Sequence, residues 1–447
     1  MIILGLGSNL GDRLAQLRHA FDLIKKIPTL EVTRVSPLYI SDPLLPENAP
    51  ASWDNNPYLN LAIRCETAME PLELLARLKA IEVTAGRRPE KTWGPRIIDI
   101  DILAWDDRIM NEDRLHIPHK SLPERPFALW PLADIAPQWI YPLADPAFQG
   151  KTAAEIAARW GSRFSGEAPL HTRQISQRID SSQLIGILNL TPDSFSDGGQ
   201  YLQPEKALQQ AYHLVHSGAE IIDVGAEATG PNASPLNANE EWQRLEPILT
   251  TLMTEKTKML IPPKISVDTR HTNTAKKALA FGVDWLNDIS GLSDPPLCEI
   301  AAEHSCDIVI MHHLSIPADL SVVLPSTANP VTLLLDWAEK NLTRLDRYGI
   351  ARDRLIFDVG IGFGKTAEQS LLLLQNISAF KSLGLRLLVG HSRKSFLKLF
   401  VDKPPQEKDI ETLALSLYLS RQKIDYLRIH NVEMVARGTK IMRFFVD

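Results

Sequence analysis

The chain contains 447 residues, of which 44% are hydrophobic and 23% are charged, and its formal net charge at pH 7 is −6. These values are typical of a soluble protein with two or three domains, and they exclude a general attraction to nucleic acid or to anionic membranes. Any binding of phosphate must therefore depend on local clusters of cations. No apolar run reaches the length of a membrane span, and the N-terminus has no basic leader, so we expect a cytoplasmic protein.

The first third of the chain predicts an α+β domain. Its predicted elements are, in order, a strand at residues 2–7, a helix at about 12–27, strands at 30–40 and 58–67, a helix that begins at Pro71, and a strand at 97–105. The order β-α-β-β-α-β is typical of an antiparallel ferredoxin-like sandwich with its helices on one face of the sheet. Residues 41–57, which are rich in proline and asparagine, are predicted to form a lid or a binding loop.

The last of these strands carries two aspartates, Asp99 and Asp101, separated by one isoleucine. Side chains alternate along a strand, so both carboxylates project from the same face and repel each other unless a cation lies between them. Mg²⁺ fits best, because it prefers oxygen ligands and is commonly shared with substrate phosphates. Arg87 and Arg96 come shortly before the pair in the sequence and suit a polyphosphate. The Asp-x-Asp motif taken alone has an alternative explanation, in which the two aspartates lie on a solvated face and have no function.

A change of pattern divides the rest of the chain. Residues 161–182 are polar and lack a regular period, so they predict a linker between a first domain at 1–160 and a second at 183–447. The second domain contains eight short apolar runs, most of them separated by segments with helical spacing. This alternation predicts a closed (β/α)₈ TIM barrel, with a doubly wound open sheet as the alternative. In a barrel, the polar residues that follow the strands converge on one face. Those residues are Asn189, Asp223, Glu227, Asp268, Asn287, His312, Asp358, Lys394, Arg428 and His430.

Residues 1–160 resemble 6-hydroxymethyl-7,8-dihydropterin pyrophosphokinase. The motifs that carry the resemblance are GLGSNLGD at 5–12, PYLN at 57–60, GRR at 86–88, WGPRIIDIDI at 93–102 and IPHKSLPERPFAL at 117–129. The resemblance implies that Asp99 and Asp101 hold Mg²⁺ between the ATP phosphates and the pterin hydroxymethyl group. It further implies that pyrophosphate moves from ATP to that hydroxyl, leaving AMP.

The same resemblance implies the substrate contacts of this domain. The implied phosphate and nucleotide contacts are Arg87, Arg96, His119 and Arg125. The implied pterin contacts are Tyr58, Asn60 and Phe127, with Phe127 expected to stack on the ring. No side chain is an obvious strong base, so positioning and electrostatics are expected to supply most of the rate.

Residues 183–447 resemble dihydropteroate synthase, a family whose fold is the TIM barrel. The motifs that carry the resemblance are GILNLTPDSFSDGG at 186–199, DVGAEATGP at 223–231, ISVDT at 265–269, LNDISG at 286–291, IGFGK at 361–365, VGHSRKS at 389–395 and RIHNV at 428–432. The implied reaction joins the pterin diphosphate to p-aminobenzoate, giving dihydropteroate and pyrophosphate.

This second resemblance implies a pterin site, an anion site and two loops that close over them. The implied pterin contacts are Asp268, Asn287, Asp358 and Lys394, and further substrate contacts are Thr229, Phe363 and Ser392. The implied anion and Mg²⁺ site consists of Asn189 as the metal ligand, Arg428 and His430. One loop departs from the family pattern Ser-Thr-Arg-Pro, because Gly230 stands where the arginine is expected. Gly230 offers no cation to pyrophosphate or to the p-aminobenzoate carboxylate.

The whole chain resembles the bifunctional folate-biosynthesis fusion of these two enzymes. The residues expected to be catalytic are Arg87, Arg96, Asp99, Asp101, Lys394 and Arg428. Expected partners are ATP, 6-hydroxymethyl-dihydropterin and p-aminobenzoate, with neither nucleic acid nor membrane among them, and a homodimer through the barrel is left open. Two alternatives remain. One is an active pyrophosphokinase with a weakened or scaffold-only synthase domain, and the other is a barrel like that of a pterin-dependent methyltransferase.

Overall fold

The computed structural model describes residues 1–45, 56–87, 95–175, 177–190, 204–228, 235–319 and 321–442. They form two compact units, Met1–Asp180 and Ser181–Asp447. The first unit therefore extends about twenty residues beyond the predicted domain end at 160. Most of the segment 161–182, predicted to be a linker, belongs to this unit because it contains a strand that pairs with the sheet. Among the described helices, none has both the length and the apolar character of a membrane span.

The first unit is an antiparallel α+β sandwich. Its elements are β1 (Ile2–Ser8), α1 (Arg13–Ile24), β2 (Leu30–Val35), β3 (Tyr39–Ser41), β4 (Tyr58–Thr67), α2 (Pro71–Thr84), β5 (Asp99–Trp105), β6 (Met110–Glu112), β7 (Leu115–Ile117), α3 (Pro126–Ile135), α4 (Ala153–Ala158) and β8 (Arg173–Gln174). The main sheet has the order β5-β1-β4-β3-β8, with β2 also paired to β4. All these pairings are antiparallel, and the predicted ferredoxin-like fold class is confirmed.

A helix that the sequence analysis missed covers one face of this sheet. Trp130 of α3 lies in one apolar cluster with Ile3 of β1 and Leu103 of β5. The buried leucines of α1 and α2 lie outside that cluster, so helices cover both faces rather than one. Leu103 follows Asp101 by two residues, so α3 lies on the face from which both aspartates project.

The second unit is a closed barrel of eight parallel strands. Its elements are β9 (Gln183–Asn189), α5 (Pro204–His216), β10 (Ile221–Gly225), α6 (Ala238–Lys256), β11 (Lys264–Asp268), α7 (Thr272–Ala280), β12 (Trp285–Asp288), α8 (Pro295–Glu303), β13 (Asp307–Met311), α9 (Pro330–Arg347), β14 (Leu355–Asp358), α10 (Ala367–Gln375), β15 (Arg386–Val389), α11 (Asp409–Arg421), β16 (Tyr426–Ile429) and α12 (Val432–Met442). The strands pair in chain order and β16 closes on β9. The predicted TIM barrel is confirmed, and the open sheet is wrong.

The interior of the barrel changes from apolar to polar along the strands. Seven strands each contribute one residue to an inner apolar cluster: Ile185, Ile221, Trp285, Val309, Ile356, Leu388 and Tyr426. Two positions further along four of these strands stand Asp223, Asn287, Asp358 and Arg428. Residues two apart project the same way, so these four side chains form a polar layer above the apolar cluster, toward the carboxyl ends of the strands.

We predict that Leu345→Ala destabilises the barrel by about 2–5 kcal/mol, since truncating a packed leucine loses apolar burial and leaves a cavity. Leu345 lies on α9 with 0% of its surface exposed. The matched control is Leu372→Ala on α10, where the leucine is 37% exposed. Urea unfolding followed by hydrogen exchange of β13–β15 amides measures both free energies. Equal losses in the two variants would contradict the described core.

Candidate active sites

The first unit contains a cavity of about 460 Å³ on the face covered by α3. Every residue that the sequence analysis assigned to the pyrophosphokinase site lines it. These residues are Tyr58, Asn60, Arg87, Arg96, Asp99, Asp101, His119, Arg125 and Phe127. Positions far apart in the sequence therefore share one concave surface, as binding sites for small molecules usually do.

Two glycines of β1 keep the floor of this cavity open beside the aspartates. In the β1–β5 pairing, Gly7 lies opposite Asp99 and Gly5 lies opposite Asp101. A Cβ atom at Gly5 would lie 2.9 Å from the Leu103 side chain, and one at Gly7 would lie 3.0 Å from Asn60 Oδ1. Larger residues would therefore fill the space in front of the two carboxylates.

Asp99 lies between two arginines. Its Oδ1 accepts a hydrogen bond from Arg87 Nη1 at 2.8 Å, and its Oδ2 accepts one from Arg96 Nη1 at 2.7 Å. Arg96 is held in turn by Asn9, whose Oδ1 accepts from the Arg96 backbone N–H at 2.6 Å. The charge of Asp99 is thus compensated by groups that also face the cavity.

Asp101 has weaker compensation. Lys79 Nζ lies 3.7 Å from its Oδ1, and the Asp101 side chain keeps 41% of its surface open to the cavity. Burial raises the pKa of the Asp101 carboxyl, and repulsion by the charge of Asp99 raises it further. The positive charge of Lys79 acts in the opposite direction. A cation placed between the two carboxylates would remove this repulsion.

The other side chains of the cavity come from β4 and from the segment that leads into α3. Asn60 of β4 donates from Nδ2 to Ser41 Oγ at 3.0 Å, which fixes its amide. The His119 backbone N–H donates to Leu103 O at 3.0 Å, so His119 is tied to β5. Burial lowers the pKa of His119. Arg125 and Phe127 lie at the start of α3, beside Pro126 in its first turn.

Sequence reasoning missed three residues of this site. Asn9 was quoted within a motif but was given no role. Lys79 and Glu82 lie one helical turn apart on α2, and Glu82 is only 2% exposed. A glutamate inside the apolar repeat of a helix was the available signal, because a buried carboxylate needs a partner.

At the barrel mouth, Arg428 of β16 lies between two carboxylates. Its Nε donates to Asp223 Oδ2 at 2.6 Å, and its Nη2 donates to Asp268 Oδ2 at 2.9 Å. Asp223 also accepts from Asn287 Nδ2 at 3.1 Å and from Ser266 Oγ at 2.6 Å. The sequence analysis placed Asp223 at this face but gave it no role. The structure shows it fixing both Arg428 and Asn287.

Asp358, Phe363 and Lys394 lie at or just after the ends of β14 and β15, the two strands that precede β16 in the barrel. The Gly360 backbone N–H donates to Asp358 Oδ1 at 2.8 Å. Gly360 has φ +67°, and a Cβ there would lie 2.0 Å from His312 O, so this turn requires glycine. Lys394 Nζ lies 4.6 Å from the centre of the Phe363 ring, within cation–π range.

Burial shifts the pKa values of the charged groups at this mouth. It raises the pKa of Asp268 to about 7, although Arg428 acts in the opposite direction. It lowers the pKa of Lys394 to about 8, with Arg428 contributing in the same direction. A carboxylate and an ammonium that both titrate near neutral pH are typical of functional sites.

His430 and Ser392 lie together beside Arg428. Ser392 Oγ accepts from the His430 backbone N–H at 3.2 Å and lies 3.0 Å from His430 Nδ1. Burial lowers the pKa of His430 to about 3, so the ring is neutral at physiological pH. If the hydroxyl donates to Nδ1, the N–H of Nε2 is left for a ligand.

The remaining predicted residues of the barrel are only partly described. Asn189 ends β9 and pairs in register with Gly225 of β10, whose other neighbour is Asp268. Thr229, Gly230 and the loop at 191–199 lie outside the described residues. At the base of the second loop, Arg270 donates to both oxygens of Glu227 at 2.9 Å.

Comparisons with known proteins identify both units. Residues 3–137 match the family 7,8-dihydro-6-hydroxymethylpterin-pyrophosphokinase, and residues 185–430 match the family of pterin binding enzymes. The folate synthesis bifunctional protein of Chlamydia muridarum is 37% identical over 97% of this chain and 95% of its own length. That of Chlamydia caviae is 36% identical over 97% of this chain and 95% of its own length.

A solved structure supports the assignment of the barrel. A dihydropteroate synthase from Anaplasma phagocytophilum, with bound 6-hydroxymethylpterin-monophosphate, is 36% identical. The match covers 59% of this chain and 99% of that one, with a TM-score of 0.54.

The two matches define two activities in one polypeptide. The first unit transfers pyrophosphate from ATP to 6-hydroxymethyl-7,8-dihydropterin, and the barrel condenses the pterin diphosphate with p-aminobenzoate to give 7,8-dihydropteroate and pyrophosphate. The relatives give no support to a scaffold-only barrel or to a methyltransferase. The chain belongs to the family of folate synthesis bifunctional proteins.

Proposed function

We propose that Asp99 and Asp101 bind Mg²⁺ together with ATP in the cavity of the first unit. The two carboxylates fit this ion because they offer oxygen ligands from one face of β5, at the edge of an open cavity. The raised pKa of Asp101 supports the same assignment, since a cation would relieve its repulsion with Asp99. When bound, Mg²⁺ neutralises charge on the polyphosphate.

In this proposal the protein acts mainly by orientation. Arg87 and Arg96 each donate a hydrogen bond to Asp99 and line the same cavity, so their positive charges lie where phosphate oxygens would bind. His119 and Arg125 would contact the nucleotide. Tyr58, Asn60 and Phe127 would hold the pterin so that its hydroxymethyl oxygen lies in line with the β-phosphorus. Their common position around one cavity is the observation that carries the proposal.

For the barrel, we assign the pterin ring to the polar layer above the apolar cluster. Asp268 and Asp358 supply carboxylate acceptors for the donor-rich edge of the ring, and Asn287 is oriented for the same purpose by Asp223. Lys394 would hold an acceptor atom of the ring. Phe363, beside Lys394, would supply an apolar face.

The anion is assigned to the neighbouring part of the mouth. Arg428 and His430 would bind the departing pyrophosphate, Ser392 would orient His430, and Asn189 would act as a Mg²⁺ ligand. The bond from the pterin methylene to the diphosphate oxygen breaks, and the pterin ring stabilises the resulting cation. The amine nitrogen of p-aminobenzoate then forms the new bond to the methylene carbon and loses one proton to solvent. Because Gly230 has no cationic side chain, Arg428 carries this role in the proposal. Thr229 remains a predicted substrate contact.

We also propose a cytoplasmic protein that pairs through its barrel. Three exposed apolar side chains support such a contact. Phe400 precedes α11 in the sequence, Ile410 lies on α11 and Ile441 lies on α12. Sedimentation equilibrium of the chain and of Ile410→Asp would test it. A monomer at all concentrations would contradict the pairing.

We predict that Asp99→Asn lowers the rate of AMP formation on the order of 10²-fold, because it removes one charge from the proposed metal pair. The measurement is AMP release from ATP and 6-hydroxymethyl-dihydropterin by the intact chain. Dihydropteroate formation from added pterin diphosphate serves as the control and should be unchanged. A variant with the AMP rate of the original chain would refute the metal assignment.

We predict a bell-shaped pH profile for the synthase reaction. Values of kcat/KM should rise as Asp268 loses its proton near pH 7 and fall as Lys394 loses its proton near pH 8. Lys394→Arg should be slower but should lose the alkaline limb, because arginine stays protonated. A flat profile across this range would contradict the roles of both residues.

A further inference from the structure

Glu82 is a buried carboxylate behind the cavity of the first unit. It lies on α2, is 2% exposed, and is absent from the residues that line the cavity. Its Oε1 accepts from Lys79 Nζ at 2.7 Å and from the Ile100 backbone N–H at 2.7 Å. Its Oε2 pairs with Arg87 Nη1. A carboxylate buried in this way costs stability unless all its partners stay in place.

All three partners of Glu82 belong to the pyrophosphokinase site. Arg87 Nη1 also donates to Asp99 Oδ1 at 2.8 Å. Lys79 Nζ lies 3.7 Å from Asp101 Oδ1. Ile100 is the residue between the two aspartates, so its N–H fixes the strand at the proposed metal pair. The Glu82 carboxylate therefore holds both cations in place and ties α2 to β5.

The arrangement leaves Lys79 able to contact a ligand. Its ammonium donates to Glu82 and to Ile100 O at 2.9 Å, and an ammonium has three protons. Lys79 lines the cavity, and its side chain is 41% exposed. The third proton can therefore serve an anion in the cavity, such as a phosphate of the nucleotide.

We propose that Glu82 is a positioning residue for the pyrophosphokinase reaction. It holds Arg87 beside Asp99 and Lys79 beside Asp101. This inference rests on the proposed function of the cavity. Without the Glu82 charge, both cations would be drawn more strongly onto the two aspartates. They would then compete with Mg²⁺ for those carboxylates and be displaced from the phosphates.

The test is Glu82→Gln in the full chain, with Glu73→Gln as the matched control. Glu73 lies on the same helix, is 53% exposed and pairs with Arg77 at 3.0 Å. We expect Glu82→Gln to raise KM for ATP about tenfold and to require more Mg²⁺ for half-maximal rate, because a charged hydrogen-bond acceptor is lost. Glu82→Asp, which keeps the charge, should recover part of the loss.

A merely structural role would give a different result. Loss of folded protein lowers the apparent kcat and leaves KM and the Mg²⁺ requirement unchanged, and that outcome would overturn the inference. If Glu82→Gln does not fold, Lys79→Met should still raise KM for ATP, and an unchanged KM would overturn the inference as well. An Asp99→Asn variant that keeps the AMP rate of the original chain would instead overturn the proposed function of the cavity.

Discussion

In each unit the site is built around one partly buried ion between two partners of opposite charge. In the first unit the ion is an anion, Asp99, between Arg87 and Arg96. In the barrel it is a cation, Arg428, between Asp223 and Asp268. Charges taken out of water must be compensated. A change in the geometry of either centre would therefore leave a partly buried ion without its partner.

The sign of the surplus charge around each centre suits the substrate. The first cavity adds Lys79 and Arg125 to its arginines, which favours a polyphosphate. The barrel mouth adds Asp358 to its carboxylates, which favours the donor-rich edge of a pterin. The product of the first site carries both a pterin and a diphosphate. The second site therefore needs carboxylates and cations side by side, as it has.

Sequence alone could predict the parts of this account that depend on local periodicity. Alternation along β5 places Asp99 and Asp101 on one face, and the polar ends of parallel strands must meet at the mouth of a barrel. The first conclusion depends only on the direction of side chains along one strand, and the second depends on the alternation of strands and helices that predicts the barrel. The family motifs then assigned roles that local patterns could not supply.

The features that were missed depend on contacts between distant elements. Glu82 contacts β5 only because α2 lies along that strand, and Asp223 becomes a partner of Arg428 only when the barrel closes. The sequence of α3 gave no strong period, and the pairing of β8 with β3 joins residues more than 130 positions apart. Tertiary contacts of this kind leave no regular spacing in the sequence.

The most direct test of the account is a coupled assay of the intact chain with ATP, Mg²⁺, 6-hydroxymethyl-dihydropterin and p-aminobenzoate, in which AMP and dihydropteroate are followed together. We predict that both products appear. In Asp99→Asn, AMP formation should fall on the order of 10²-fold and dihydropteroate should fall with it, until added pterin diphosphate restores the second product. AMP without dihydropteroate, even with added pterin diphosphate, would contradict it. The barrel with Gly230 in place of the expected arginine would then not be a working synthase.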